Sequence, residues 1–213
     1  MMTAQNTPIP SVDVTGEGIV KVVPDEVTVN VRVENTGKDA KALKRQNDAT
    51  VNDVLAFVKR MGIADKYVST QYIRLSKNYE YNTKTYNYSA NQAISIKITD
   101  LKKYEDVMNG LIETGINRID GISFSSSQAN SLKSEARKKA VENAKLKATE
   151  YASVLNQTVG KAIHISEFQN TISPQPKFAR ALSIDGESSG GQQTLAPGEM
   201  EIQVRVNVSF QLL

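Results

Sequence analysis

The chain has 213 residues, of which 39% are hydrophobic, 23% charged and 6% aromatic. A chain of this length can bury a sizeable core, and its net charge of +3 is too small to indicate a dedicated nucleic-acid-binding protein. It contains no Cys and one His, which excludes a disulfide framework, a thiolate nucleophile and a Cys-ligated metal, and leaves little scope for His-ligated metal. We therefore predict no cofactor and no metal.

The sequence also predicts neither a membrane-spanning segment nor a targeting signal. No apolar run approaches the ~20 residues that span a bilayer, so no transmembrane segment is predicted. The first ten residues have neither a basic region nor an apolar stretch, and no signal peptide is predicted in this sequence. Residues 1–11 are expected to form a disordered tail, followed by one domain over 12–212.

Alternating valines mark the strands at both ends of this region. Residues 26–34 and 201–212 place β-branched or aromatic side chains on one face and polar ones on the other, as a half-buried strand requires. Residues 12–15 and 19–23 are interpreted as one strand interrupted by a glycine bulge at Gly16-Glu17-Gly18. Four more strands are predicted at 67–75, 92–99, 119–124 and 161–168.

Three stretches have helical spacing. In the first, apolar residues recur from Leu43 to Met61, and Gly62 follows as the residue after the C-cap. The second begins at Asp100 as N-cap and runs to Gly115.

The third predicted helix is the longest, from about Gln128 to Asn156. Its start is interpreted as a capping box of Ser125 and Gln128, with Ser127 as an equally good N-cap. Five alanines at a spacing of four allow close backbone packing against a sheet or a helix: Ala136, Ala140, Ala144, Ala148 and Ala152. The element order ββ-α-ββ-α-β-α-β-β favours an α+β fold with a mixed, mainly antiparallel sheet and helices packed on one face.

Two segments interrupt this regularity. Residues 169–198 form a long stretch rich in Pro, Gly, Ser and Gln, and are predicted to be a mobile or functional loop. Residues 78–88 are predicted to form a hairpin with a four-residue loop at 82–85, which would place Tyr81 opposite Tyr86.

The order of several short motifs resembles the SIMPL domain family, a domain of unknown function. The motifs run from about Val12 to Leu212 and are residues 14–18, 24–26, 88–92, 99–101, 121–124 and 197–199. The resemblance implies an α+β domain without established catalytic residues. It also implies export to the periplasm or envelope in bacteria, self-association of some members into rings, and a relative in mammals that associates with a kinase in inflammatory signalling.

Three groups of side chains are candidates for chemistry or ligand binding, and an ordinary structural role is favoured for each. His164 lies between two isoleucines of a predicted strand, without a nucleophile-elbow motif, and is interpreted as a surface or half-buried residue. Asp25, Glu26 and Glu17 are candidate paired carboxylates for acid–base chemistry or for binding a cation, but Pro24 beside them favours turn chemistry at the start of a strand. The third helix has an excess of three positive charges, and acidic residues are interspersed among its basic ones. A solvated helix face is therefore favoured over nucleic-acid or lipid binding.

The tyrosine hairpin is the feature that most favours a function. Tyrosines combine a large contact area with a hydrogen-bonding tip, which suits interfaces, although the same rings could merely stabilise the hairpin. The candidate interface residues are Tyr79, Tyr81, Tyr86 and Tyr88.

These observations predict a non-enzymatic, periplasmic or envelope protein that forms a homo-oligomer or binds a protein partner. A role in stress protection is expected from the resemblance alone. The alternative is a small-molecule or lipid-binding module with a cleft between the long helix and the sheet, and a hydrolase with carboxylate chemistry is a third reading.

Overall fold

A computed structural model describes residues 9–167 and 196–213. Within this part of the chain, strands and helices follow one another in the order ββ-α-ββ-α-β-α-β-β. The strands are β1 (Ser11–Val22), β2 (Glu26–Gly37), β3 (Val68–Glu80), β4 (Thr85–Ile98), β5 (Arg118–Ser125), β6 (Val159–Glu167) and β7 (Met200–Leu212). The helices are α1 (Ala40–Arg60), α2 (Tyr104–Glu113) and α3 (Ala129–Val154).

The predicted α+β class and the element order are confirmed, and every strand pair is antiparallel. The described strands form two sheets rather than one, in the orders β1-β7-β6 and β3-β4-β2-β5. Alternation identifies a strand and its buried face but does not choose its partner. The division into two sheets was therefore not predictable from the valine pattern.

The first compact unit contains β1, α3, β6 and β7. Its first and last strands pair without interruption from Ser11 opposite Gln211 to Val22 opposite Met200. All five alanines of the predicted stripe on α3 are buried, at 0–1% exposure. The first four of them pack with apolar side chains of β1 and β7: Val14, Val20, Val204, Val206, Val208 and Phe210.

The glycine bulge predicted in β1 is wrong. A Cβ atom on Gly16 would lie 2.0 Å from the carbonyl oxygen of Ala140, and one on Gly18 would lie 1.9 Å from that of Ala136. Neither position therefore has room for a side chain, and the backbone of β1 lies directly against α3. The two glycines permit this close approach without changing the strand register.

The second compact unit contains β2 to β5 with α1 and α2. Alternate valines of β2 and isoleucines of β4 are almost completely buried in its core: Val27, Val29, Val31, Val33, Ile94, Ile96 and Ile98. The helices contribute Val54, Val58, Val107 and Leu111 to the same core.

The predicted end of α1 is confirmed. Gly62 has a φ of 77°, its N–H donates to the Lys59 carbonyl, and the N–H of the buried Ile63 donates to the Val58 carbonyl. This is the Schellman arrangement, in which glycine avoids the strain of a left-handed conformation. The helix begins at an N-cap that the sequence reading missed, since the Asp39 carboxylate accepts hydrogen bonds from two backbone N–H groups.

The second helical region begins as predicted, whereas the capping box of the third is wrong. The Asp100 carboxylate accepts a hydrogen bond from the Lys102 N–H and caps a short 3-10 turn that leads into α2. In contrast, Ser125 is the last residue of β5 and its hydroxyl donates to Glu26. Gln128 is the N-cap of α3 and makes no side-chain capping bond.

That residues 12–212 form a single domain stays a prediction. Contacts within the chain group its residues into the two units described above. Ser11, placed in the predicted tail over 1–11, is the first residue of β1, and residues 1–8 of that tail lie outside the described residues. Most of the loop predicted at 169–198 also lies outside them.

Candidate functional site

The candidate interface residues lie on the hairpin formed by β3 and β4. Glu80 pairs with Thr85, and residues 81–84 connect the strands. Tyr79 is therefore opposite Tyr86, and the prediction that Tyr81 would oppose Tyr86 is wrong. The connection begins one residue earlier than predicted, at residue 81 instead of 82.

Hydrogen bonds accepted by the Glu80 carboxylate account for this register. It accepts from the Thr83 hydroxyl at 3.2 Å and from the Asn87 amide at 2.9 Å. Lys84 completes the turn with a φ of 50°, in the left-handed region. The turn therefore closes after Glu80, which moves Tyr81 out of the strand and into the connection.

Three of the tyrosine rings form a cluster at the tip of the hairpin. The ring centroids of Tyr79 and Tyr86 are 5.0 Å apart, and those of Tyr79 and Tyr81 are 5.1 Å apart at an edge-on angle of 87°. Such arrangements stabilise aromatic pairs. The rings nevertheless stay accessible, since Tyr81 is 84% exposed and Tyr86 is 54% exposed.

Lys77 contacts both this cluster and the fourth tyrosine, Tyr88. Its ammonium nitrogen lies 4.2 Å from the Tyr86 ring centroid and 5.9 Å from that of Tyr88, within the range of cation–π attraction. Because Lys77 pairs with Tyr88 across the strands, all three side chains share one face of the sheet. Tyr88 is half-buried.

Two further apolar residues of the same face were missed by the sequence reading. Ile73 pairs with Gln92 and Leu75 with Ala90, so they lie on the face that carries the buried isoleucines of β4 farther along the sheet. Ile73 is 72% exposed and Leu75 is 50% exposed. The period-two spacing from residue 73 to 79 was the available signal. We define the hairpin surface as Ile73, Leu75, Lys77, Tyr79, Tyr81, Tyr86 and Tyr88.

His164 lies on the exposed polar face of the other sheet. It is opposite Ser209, which is itself opposite Asp13, so the three residues form a row across the strands. The Ser209 hydroxyl donates its proton to the Asp13 carboxylate. In a hydrolytic triad the serine would instead donate to the histidine, so this row does not have the order that activates a nucleophile.

The three carboxylates considered above each have their own structural partners. Asp25 accepts hydrogen bonds from the hydroxyl and the N–H of Ser127, which lower its pKa. The buried Glu26 contacts Lys97 at 2.7 Å, and Glu17 contacts Arg205 at 3.2 Å. The lowered pKa of Asp25 is the opposite of what a general acid requires. The contacts of all three carboxylates support structural roles in a turn and in strands.

The basic side chains of α3 are partly used inside their own unit. Arg137 contacts Glu167 at 2.7 Å, Lys139 contacts Glu135 at 2.9 Å, and Lys147 donates to the Thr15 carbonyl at 2.8 Å. These contacts support a solvated helix face rather than a continuous anion-binding stripe.

The backbone of α3 touches β1 at Gly16 and Gly18, so a cleft between the long helix and the sheet is closed at these two positions. An apolar cavity occurs elsewhere, between the end of α1 and the start of β3. Its volume is about 350 Å³, and it is lined by Leu55, Ala56, Val58, Lys59, Ile63, Asp65 and Val68.

Residues 9–167 and 196–213 contain neither a cluster of metal-ligating side chains nor a membrane-spanning helix. No group of three or more His, Asp or Glu side chains is placed to hold a metal ion. No helix in this part of the structure combines the length and the apolar character needed to cross a membrane.

The fold and the hairpin define an α+β protein with two antiparallel sheets and an exposed aromatic hairpin. A family model described as SIMPL, protein of unknown function (DUF541), matches residues 12–210. The chain belongs to the SIMPL family.

Several relatives resemble nearly the whole chain. It is 27% identical over 206 residues to the uncharacterized protein YggE of Escherichia coli K12, an alignment that covers 95% of this chain and 83% of that one. It is 26% identical over 211 residues to the 26 kDa periplasmic immunogenic protein of Brucella melitensis, covering 93% and 83%. The Edwardsiella ictaluri YggE protein is 27% identical, with 95% and 87% covered.

Proposed function

We propose that this protein is a non-enzymatic protein of the cell envelope that assembles with copies of itself through the hairpin surface. The observation that carries the proposal is the exposure of Ile73, Leu75, Tyr79, Tyr81 and Tyr86 on one hairpin. A contiguous exposed apolar patch on a folded domain typically marks an interaction site. Tyrosines beside aliphatic side chains are a composition favoured at the centre of protein interfaces.

The envelope location is supported by the name of the Brucella melitensis relative, which describes that protein as periplasmic. A role in stress protection stays a prediction from the family resemblance.

The non-enzymatic part of the proposal is supported by the arrangement of the polar groups. The proton of Ser209 is directed to Asp13 rather than to His164, and the pKa of Asp25 is lowered. Neither arrangement is one that prepares a nucleophile or a general acid for catalysis.

The test is the solution mass of the purified chain, measured by light scattering over a range of concentrations. We expect a mass above that of one chain, and a loss of this excess when Tyr79, Tyr81, Tyr86 and Tyr88 are all replaced by Ser. A second variant, Ile73→Lys, removes the most exposed strand residue of the surface without altering the tyrosine cluster. It should give the same loss.

A matched control replaces Tyr151 and Leu146 of α3 by Ser. These side chains are 57% and 58% exposed but lie in the other unit, and the mass should be unchanged. Circular dichroism checks that each variant is folded. If folded variants of the hairpin surface keep the mass of the unmodified chain, the proposal is wrong.

The cavity beside α1 supports a second candidate function, the binding of a small apolar molecule. Its volume of about 350 Å³ falls within the range of ligand sites, and Lys59 and Asp65 add charged groups to an apolar lining. An apolar fluorescent dye should bind the unmodified chain and bind less after Ala56→Phe, which fills the cavity. Equal binding by both would contradict this candidate.

A further inference from the structure

The strand β3 forms an open edge of its sheet. One side of β3 pairs with β4, and no described strand pairs with the other side. The strand has 13 residues, and all but Val68 and Ser76 are exposed. Unpaired N–H and C=O groups along such an edge can pair with another strand.

Proteins usually protect a long edge with charged side chains, proline, a bulge or a covering element. The charged residues of β3 are Arg74, Lys77 and Glu80. β3 contains no proline, and its single irregularity lies between Thr70 and Tyr72. From Tyr72 to Glu80 its register with β4 is regular. The exposure of Ile73 and Leu75 shows that this segment also has an uncovered apolar face.

We propose that β3 of one copy pairs in an antiparallel manner with β3 of a second copy, about a two-fold axis at Ser76. This inference rests on the proposed self-assembly and specifies its contact. The two four-stranded sheets would become one continuous sheet, with Ile73, Leu75 and Tyr79 of both copies on the same face.

The distribution of charge along the strand selects this register. An axis at Ser76 places Ile73 opposite Tyr79, Leu75 opposite Lys77 and Arg74 opposite Asn78. Tyr72 is then opposite Glu80, so no two like charges face each other. An axis at Arg74 or at Lys77 would place identical positive charges opposite each other, which is destabilising.

The bulge in β3 excludes the other neighbouring register, in which the two-fold axis would lie at Leu75. An axis at Leu75 would pair Tyr79 with the irregular position at Gln71 and shorten the regular ladder. Ser76 is the midpoint of the regular segment from Tyr72 to Glu80, so an axis there uses all of it. An aromatic residue opposite a β-branched one, as in the Ile73–Tyr79 pairs, is also favourable across strands.

The absence of cysteine from the sequence allows a test by disulfide formation in the full chain. Opposed Cα atoms of antiparallel strands lie about 4.5–5.5 Å apart, within the range of a disulfide. Ser76→Cys should therefore form a covalent dimer under mild oxidation, doubling the 23.4 kDa chain mass on a non-reducing gel.

Two further variants test the register. With the axis at Ser76, residue 74 of one copy would lie four positions along the strand from residue 74 of the other, a separation of about 13 Å. Arg74→Cys alone and Asn78→Cys alone should therefore give little dimer, whereas a mixture of the two should cross-link. Ser153→Cys, at an exposed position of α3, measures the background from random collisions.

The possible results separate this inference from the proposed function. If the mass depends on the hairpin surface but Ser76→Cys cross-links no faster than Ser153→Cys, edge pairing is wrong and self-assembly stands. Dimer formation by Arg74→Cys alone would likewise overturn the register. A chain that is monomeric at all concentrations, with background cross-linking only, would overturn both proposals.

Discussion

Two glycines and a stripe of alanines determine how closely α3 approaches β1. Gly16 and Gly18 lie on the same face of the strand, opposite Ala140 and Ala136. In both cases the atom that a new Cβ would meet first is a backbone carbonyl oxygen, which cannot move by changing a rotamer. We therefore expect any residue other than glycine at these positions to destabilise the unit.

The corresponding prediction concerns Gly16→Ala. Overpacking of a well-packed contact costs roughly 1–3 kcal/mol, and because the clash is with backbone we expect a loss of about 3 kcal/mol in the free energy of unfolding. Gly121→Ala is the matched control, because a Cβ there has no neighbour within 4 Å. Its effect should stay within about 0.5 kcal/mol. Urea denaturation measures both, and equal losses would contradict the interpretation.

The same residues show what the sequence could and could not indicate. The alanine spacing predicted a closely packed helix, because small side chains at a period of four form one face. The glycines were misread as a bulge, since glycine in a strand has two meanings, a bulge or a close approach. Only the position of α3, a separate element more than a hundred residues away, distinguishes them.

At the scale of elements, the hairpin was predictable in part. The alternation of tyrosines and the turn-forming Asn82 and Thr83 predicted two strands and a four-residue connection. The register depended on hydrogen bonds that the Glu80 carboxylate accepts from Thr83 in the connection and from Asn87 on β4, which spacing does not reveal. The exposure of Ile73 and Leu75 depended on which strands the helices cover, since α1 packs on β2 and β4. This is a property of the packed unit.

A pH-dependent contact connects α3 to β6. The hydrogen bond and positive charge of Arg137 lower the pKa of Glu167 below its ordinary value of 4.5. A carboxyl whose folded-state pKa is lowered stabilises the folded state above its unfolded pKa. This stabilisation is lost as the pH falls through the lower, folded-state value.

We therefore expect Glu167→Gln to be less stable than the unmodified chain at pH 7, with a difference that shrinks as the pH falls below about 4.5. The effect should be small, since the contact is at the surface. Urea denaturation at several pH values measures it. In an Arg137→Gln background the same substitution should have little effect, and a difference independent of pH would contradict this account.

At the scale of the whole chain, each compact unit has its own core. One core is built from valines of β1 and β7 with the alanines of α3, and the other from β2 and β4 with α1 and α2. Among residues 9–167 and 196–213, these two clusters have no buried residue in common. Damage to one core should therefore act mainly on its own unit.

Hydrogen exchange measured by mass spectrometry tests this expectation with Gly18→Ala. Protection of backbone amides should fall in β1, α3, β6 and β7, because the substitution clashes with Ala136 in that unit. Protection in β2 and β4 should stay close to that of the unmodified chain. An equal loss in both sets of strands would show that the two units unfold together.

The pairing of β1 with β7 has a consequence for biosynthesis. Ser11 lies opposite Gln211, so the sheet of this unit joins the first and the last of the described strands. The unit that contains β2 to β5 draws its described elements from the continuous stretch Pro24–Ser127, which is synthesised between those two strands. The segment that carries Gly16 and Gly18 therefore has no ladder partner until the thirteen residues of β7 have been synthesised.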